Sequence, residues 1–232
     1  MDEKHFLYKN IADFFDSRYS EHEEVMAEKK RFALDLIDKY CPIKKRNDSL
    51  MSQPKILDIG CGTGKITQLI KNKGYKVVGA DVSAVAINKL KEKGIEGIVH
   101  NISSEMPIDD QSFDVVWTTD LLELLPDAYL FFHEVHRVLR PGGLFIYTAP
   151  NLGWYLFRMK NLLGKSSSDI MPPSHCRFWT KHGINYFLNN EYFENLFLGG
   201  VAPFPSLTGK KEMRLNNLNL LCRDLVGVAS RV

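Results

Sequence analysis

Seven residues, Asp58-Ile-Gly-Cys-Gly-Thr-Gly64, and an acid further on, Asp81, have the types and spacing to hold a ligand. Gly60, Gly62 and Gly64 alternate directly after a short apolar run, Ile56 to Ile59, and a helical pattern begins at Lys65. Glycine is needed where main chain takes positive φ or closes on a ligand. A strand, a glycine turn and a helix present N–H groups and the positive helix end at the carboxyl edge of a sheet. Asp81 ends the next strand, about 20 residues on, where open α/β folds place a carboxylate that grips ribose hydroxyls. The pattern is not a dinucleotide fingerprint, because Lys65 fills the last glycine position. Nor is it a phosphate loop, because Ile59 replaces the first glycine and Ile66 the hydroxyl residue. Asp58 would repel a phosphate and attract a cationic ligand. This stretch therefore points to a cationic nucleoside rather than a di- or triphosphate.

Other chemistry-bearing groups are weaker. His133-Glu-Val-His136 spaces its histidines one residue short of the zinc motif H-E-x-x-H, so no metal is expected. The four cysteines, Cys41, Cys61, Cys176 and Cys222, form no C-x-x-C pair, which fits a reduced compartment. With 232 residues and a net charge of +2, the chain makes no electrostatic case for nucleic acid. It begins without a signal-peptide core and holds no apolar run of spanning length. A cytoplasmic protein is expected, with no stable membrane insertion.

The elements that must position these groups follow from periodicity. Residues 4 to 40 are helical in pattern, with Phe6, Ile11, Phe14 and Phe15 in one apolar set and Val25, Phe32, Leu34, Leu36 and Ile37 in another. They form an N-terminal cap and connector over 1–50, ahead of a main domain over 51–232. Strands are predicted at 56–59, 76–80, 97–100, 113–118, 144–148, 193–198 and about 223–230. Ser83 and Thr180 read as helix N-caps. Pro126 reads as the opening of a helix whose buried face is Phe131, Val135, Val138 and Leu139. Pro141-Gly-Gly143 should end that helix, and 199–217, with Pro203, Pro205 and Gly209, should be a loop. Residues 149–180 are an insertion longer than an ordinary α/β connection, as lids and binding loops tend to be.

The succession Asp58-Ile-Gly-Cys-Gly-Thr-Gly64, Asp81, Phe113-Asp-Val-Val116 and Arg137-Val-Leu-Arg-Pro-Gly-Gly143 resembles the motifs of class I S-adenosylmethionine-dependent methyltransferases over about residues 50 to 150. The resemblance implies an α/β, Rossmann-like, seven-stranded and mostly parallel sheet in the order 3-2-1-4-5-7-6, strand 7 antiparallel, with helices on both faces. It implies S-adenosyl-L-methionine as methyl donor, S-adenosyl-L-homocysteine as product, and no metal. The cofactor-binding residues it implies are Asp58, Gly60, Cys61, Gly62, Gly64, Asp81, Val82, Asn101, Ile102 and Thr119. Asn101 stands where the family usually has an acid for the adenine amino group, and its side-chain oxygen can accept the same bond. The loop after strand 4 often carries a Glu-His pair in the family; Glu123-Leu124 stands here, leaving Asp120 and Glu123 as candidate polar contacts.

Pro150-Asn-x-Gly-Trp154 with His175-x-Arg-Phe-Trp-Thr180 resembles a subgroup acting on small metabolites, including methionine-pathway, sugar and quinone-pathway members. On that basis His175 is the candidate general base and Arg177 a binder of an anionic or polar substrate group; the N-terminal helices, which in the wider family lie over cofactor and substrate, make Tyr19 a candidate lid contact. The aromatic and basic run 154–165 could also rest peripherally on a membrane. The expected acceptor is an O nucleophile, or N or a carboxylate, of a small molecule, handled by a monomer or homodimer. Two alternatives stay open: a non-catalytic S-adenosylmethionine-binding regulator or scaffold, and a nicotinamide oxidoreductase, which Lys65 disfavours.

Overall fold

The computed structural model describes residues 11–17, 27–43, 53–172, 174–203, 212–216 and 220–232. A helical segment at 11–17 precedes helix α1 (Glu28–Tyr40). The α/β alternation then runs β1 (Lys55–Ile59), α2 (Lys65–Asn72), β2 (Lys76–Asp81), α3 (Ala84–Glu92), β3 (Glu96–Val99) and β4 (Phe113–Thr118). A single 3₁₀ turn at Leu122–Leu124 leads to α4 (Ala128–Val138) and β5 (Leu139–Pro150). The insertion carries α5 (Tyr155–Leu162) and α6 (Ser167–Ile170); α7 (Lys181–Asn190), β6 (Phe193–Pro203), β7 (Glu212–Asn216) and β8 (Asp224–Arg231) complete the chain.

One sheet holds all eight strands in the order β3-β2-β1-β4-β5-β8-β6-β7. Strands β1 to β5 pair in parallel, and β8 runs antiparallel between β5 and β6. Alternate side chains sort to two apolar faces, as period-2 geometry requires. Ile56, Val115, Trp117, Ile146, Val226 and Val228 meet α1 residues Phe32, Leu36 and Ile37 on one face. Leu57, Val116, Phe145, Tyr147 and Leu225 meet α4 and α7 on the other. The strands read as continuous apolar runs because both faces are covered.

The sheet departs from the sequence expectation at its edge. Residues 199–217 were expected as a loop, but β6 runs on to Pro203 and Glu212–Asn216 pairs with it as an eighth strand. Gly199 and Gly200 are not turn residues. A Cβ on Gly199 would lie 2.7 Å from the Leu215 carbonyl oxygen, and one on Gly200 would lie 2.2 Å from that of Asp224. These glycines permit close approach of neighbouring strands. Pro141-Gly-Gly143 likewise falls inside β5, at a register shift against β4 between Phe113 and Val115. Helix α4 opens at Asp127, whose carboxylate accepts from Leu130 N–H at 3.1 Å, rather than at Pro126. Ser83 and Thr180 do cap their helices, accepting from Ala86 N–H and Gly183 N–H.

Candidate active site

Gly60, Gly62 and Gly64 all take positive φ, at 75°, 53° and 78°. Main-chain N–H groups of Gly60 and Cys61 donate to Ala80 O at 2.8 and 3.2 Å, which ties the turn to the end of β2. A Cβ on Gly64 would sit 2.2 Å from Leu90 Cδ1, so this glycine also lets α3 pack against the turn. Asp81 then meets the turn directly. Its Oδ2 accepts from Gly62 N–H and its Oδ1 from Ser83 N–H, each at 2.9 Å. Burial raises the Asp81 pKa, and those two N–H groups oppose the shift. The carboxylate is thus held rigid at the carboxyl edge of the sheet with acceptor capacity to spare.

This corner is one wall of a cavity of about 890 Å³. Gly60, Gly62, Asp81, Val82, Asn101, Ile102 and Thr119 line it on the sheet side. Ile11, Phe14 and Phe15 line it from the segment 11–17, which Asp16 fastens by accepting from Ser83 Oγ and from Val85 N–H at 3.2 Å. Phe157, Ile170, Met171, Pro172 and His175 close the insertion side. Leu121, Glu123, Leu124 and Pro126 from the loop after β4 complete the floor.

Three expected cofactor residues, Asp58, Cys61 and Gly64, are not among the lining residues. Asp58 is buried and accepts from Thr67 Oγ1 at 2.6 Å, which joins β1 to α2. Asn101 lines the cavity, but its Oδ1 already accepts from Ser103 N–H at 3.0 Å. Arg177 also stands away from the lining. Its guanidinium donates to Leu125 O and Pro126 O at 2.8 Å each, fastening the insertion to the loop after β4. His175 does line the cavity, and its Nδ1 has no hydrogen-bond partner among the described residues. Burial, and then the charge of Lys29, lower its pKa. Tyr19 lies outside the described residues.

The site also holds charges that periodicity did not single out. Lys29, from the first turn of α1, ion-pairs with Asp120 and, at 3.1 Å, with Asp224. Lys30 reaches the other Asp120 oxygen at 3.1 Å, and Arg223 Nε donates to Asp224 Oδ2 at 2.9 Å. Burial works against the charged forms. The two lysines outweigh it and hold Asp120 below the ordinary carboxylate range, while the carboxylates hold Lys29 above its ordinary value. A charged pair, Arg223-Asp224, opening an otherwise apolar strand was the signal available in the sequence. Lys29 gave none, because only the crossing of α1 over β5 and β8 brings it there. Glu123 is the exception to this neutralisation: it is 4% exposed and its Oε2 has no hydrogen-bond partner among the described residues.

The histidines of α4 lie outside the cavity lining, His136 packing edge-on against Phe193. His133 faces Glu191 at 3.4 Å, and Glu134 pairs with Arg137 at 2.8 Å. Among the described residues no three acidic, histidine or cysteine side chains are grouped as a metal would need, and no helix is long and apolar enough to cross a membrane.

Residues 57–147 match the family model described as a methyltransferase domain. The chain is 30% identical over 154 residues to the demethylmenaquinone methyltransferase of Chlorobaculum tepidum, covering 62% of this chain and 63% of that protein. It is 34% identical over 113 residues to the ubiquinone biosynthesis O-methyltransferase of Bradyrhizobium sp., covering 47% and 45%. The chain thus spans less than two thirds of these curated relatives. Among solved structures, the 1,6-didemethyltoxoflavin-N1-methyltransferase of Burkholderia thailandensis, with bound 1,6-didemethyltoxoflavin and S-adenosylhomocysteine, superposes with a TM-score of 0.65. That match covers 100% of this chain and 92% of the other at 16% identity, a likeness of fold. Residues 57–147 are thus similar to a methyltransferase domain, and the sheet around them has the fold of the solved methyltransferase structure.

Proposed function

We propose that this protein transfers a methyl group from S-adenosylmethionine to a small-molecule acceptor. One observation carries the reading: Gly62 N–H and the Asp81 carboxylate meet at 2.9 Å on the wall of a cavity closed by two aromatic rings of the segment 11–17. The residues fit the donor. Asp81 would hold the ribose hydroxyls, and Gly60 and Gly62 leave room for a nucleoside against bare main chain. Val82, Ile102 and Asn101 would flank the adenine, and Thr119 would stand beside the amino-acid end. The acidic corner suits a positively charged ligand.

When bound, S-adenosylmethionine supplies an activated methyl group on a sulfonium. The protein's task is then alignment and exclusion of water, and alignment alone supplies about 7–11 kcal/mol in favourable cases. Ile11, Phe14 and Phe15 on one side and Phe157, Ile170 and Met171 on the other would keep the reacting atoms dry. Methyltransferase relatives named for quinone biosynthesis, and a fold neighbour named for a ring-nitrogen acceptor, support a small metabolite as acceptor. His175 lines the acceptor side, whereas Arg177 is spent on carbonyl groups. Calorimetric titration with S-adenosylmethionine, followed by chromatography for S-adenosylhomocysteine over an acceptor panel, tests the reading. Absence of binding would end it. Binding without turnover over the whole panel would favour the non-catalytic module.

A further inference from the structure

Of the cavity-lining carboxylates, Asp81 is held by the Gly62 and Ser83 N–H groups, whereas Glu123 has no ion-pair partner among the described residues. Asp120 is held between Lys29 and Lys30, and Asp224 between Lys29 and Arg223. Glu123 has no such partner, although its main-chain oxygen accepts from Cys176 N–H and Arg177 N–H at 3.0 and 3.1 Å. Those two bonds set the insertion, and with it His175, on the same stretch of cavity wall as Glu123. Around them stand apolar groups: Leu124, Pro126, Phe157, Met171 and Pro172. A carboxylate with one oxygen left unpaired in such surroundings is costly, and a glutamine or leucine would fold there at less expense. Groups held in costly states inside clefts are candidates for function.

Resting on the methyltransferase reading, we propose that Glu123 is the proton acceptor of the reaction, and that the acceptor substrate is an apolar molecule methylated at a hydroxyl or N–H group rather than at a carboxylate. The acceptor's O–H or N–H bond breaks and its electron pair forms the new bond to carbon. The carbon–sulfur bond of the donor breaks onto sulfur, and the proton ends on the Glu123 carboxylate. A sulfonium, a neutral acceptor and a carboxylate give a thioether, a methylated acceptor and a carboxylic acid, so charge and atoms balance. A carboxylate acceptor would need no base and would be set against Glu123 as a like charge.

Two basic groups share this wall, and their surroundings shift them in opposite directions. Burial, and then Asp120, raise Glu123 to about 7, while Asp224 adds to the shift and Lys29 opposes it. His175 is lowered from 6.5 by burial and by Lys29, with Asp120 opposing. Cys176, the remaining titratable neighbour, is raised by its own burial and stays a thiol. Glu123 is therefore raised toward neutral pH, where general-base catalysis is most effective, while His175 is lowered.

The test uses the full chain with tritium-labelled S-adenosylmethionine and a panel of apolar phenols, enols and N–H heterocycles, each paired with the carboxylic acid of the same ring. Label should enter an O–H or N–H acceptor and survive mild alkali, which would release a methyl ester. Wild-type kcat/KM should rise with pH through about 7. Glu123→Gln should lose about 10²–10⁴-fold and the rising limb with it, at unchanged affinity for S-adenosylmethionine. Glu123→Asp should recover part of the rate with the limb intact, which guards against a folding defect in the glutamine variant. A turnover-free readout is calorimetry of the accepted compound on protein loaded with S-adenosylhomocysteine. Wild type should prefer it over its matched carboxylate at least about tenfold, the scale of one lost like-charge contact, and Glu123→Gln should not. The proposal is overturned if Glu123→Gln keeps its rate or its limb, if His175→Gln alone abolishes the limb, or if the product is a methyl ester. It also falls if the donor binds and no compound on the panel is labelled. Failure to bind the donor would instead remove the reading it rests on.

Discussion

Two single residues give the sharpest tests of the donor site. Gly62 has φ of 53°, and its N–H is held by Asp81. A β-branched residue strains that backbone and fills the face proposed for the nucleoside. Gly62→Val combined with Asp81→Ala should weaken S-adenosylmethionine binding at least about a hundredfold, two good charge-assisted bonds being worth that much; affinity within a few-fold of wild type by calorimetry would contradict the site. Glu123 offers a test through stability. A carboxyl group at about 7 in the folded protein and near 4.5 unfolded binds its proton more tightly when folded. It therefore supports folding at low pH, and that support is lost as pH rises from about 4.5 through about 7. Glu123→Gln does not titrate, so its urea midpoint should gain on wild type across that window, by about 3 kcal/mol at its upper end. A pH-independent difference would mean that Glu123 is solvated or paired.

Helix α1 works as an element with two jobs. Phe32, Ala33, Leu36 and Ile37 join the apolar layer over β5 and β8, while Lys29 and Lys30 at its start hold Asp120, after β4, and Lys29 also holds Asp224, at the start of β8. Lys29→Met keeps the aliphatic stem but leaves Asp120 to Lys30 and Asp224 to Arg223. Removing one partner from a buried ion pair costs about 3 kcal/mol, so the urea midpoint should fall accordingly. Loss below about 1 kcal/mol would show that solvent reaches the pair. The sign with pH is opposite to that of Glu123. Asp120 is depressed when folded, so its contribution is complete above the ordinary carboxylate pKa and disappears as acid takes pH through the lower folded value. The insertion is anchored the same way, through Arg177 on the Leu125 and Pro126 carbonyls rather than through its aromatic residues alone.

For the whole molecule, stability rests on a sheet buried on both faces. Gly227 in β8 faces Tyr147 in β5, and a Cβ there would lie 2.2 Å from the ring Cζ. Tyr147 is fully buried among Phe145 and neighbouring groups and has no room to retreat. Gly227→Ala should therefore cost about 1–3 kcal/mol, measured as a lowered melting temperature; a neutral outcome would mean that the two central strands shift apart freely. A donor bound to the native state alone stabilises it by about 2.7 kcal/mol at a hundred times its dissociation constant. S-adenosylmethionine should raise the melting temperature accordingly and NADH should not, which separates the methyltransferase from an oxidoreductase.

Local rules carried the strand–glycine–helix unit, the caps at Ser83 and Thr180 and the parallel core strands, because periodicity and capping act over a few residues. They failed at 199–203, expected as the start of a loop, where Gly199 and Gly200 answer to neighbouring strands. Asp58 was read as an acid facing a ligand and proved to be bonded to Thr67, because side-chain direction depends on which helix lies above it. The chain's one-dimensional pattern was enough for the fold, the family and the corner formed by Gly62 and Asp81. Which acids around the cavity are neutralised was settled by packing alone, since Lys29, Asp120, Glu123, His175 and Asp224 come from four separate parts of the chain. Charge compensation falls off within a few ångströms, and only a folded core brings groups so distant in sequence to that range.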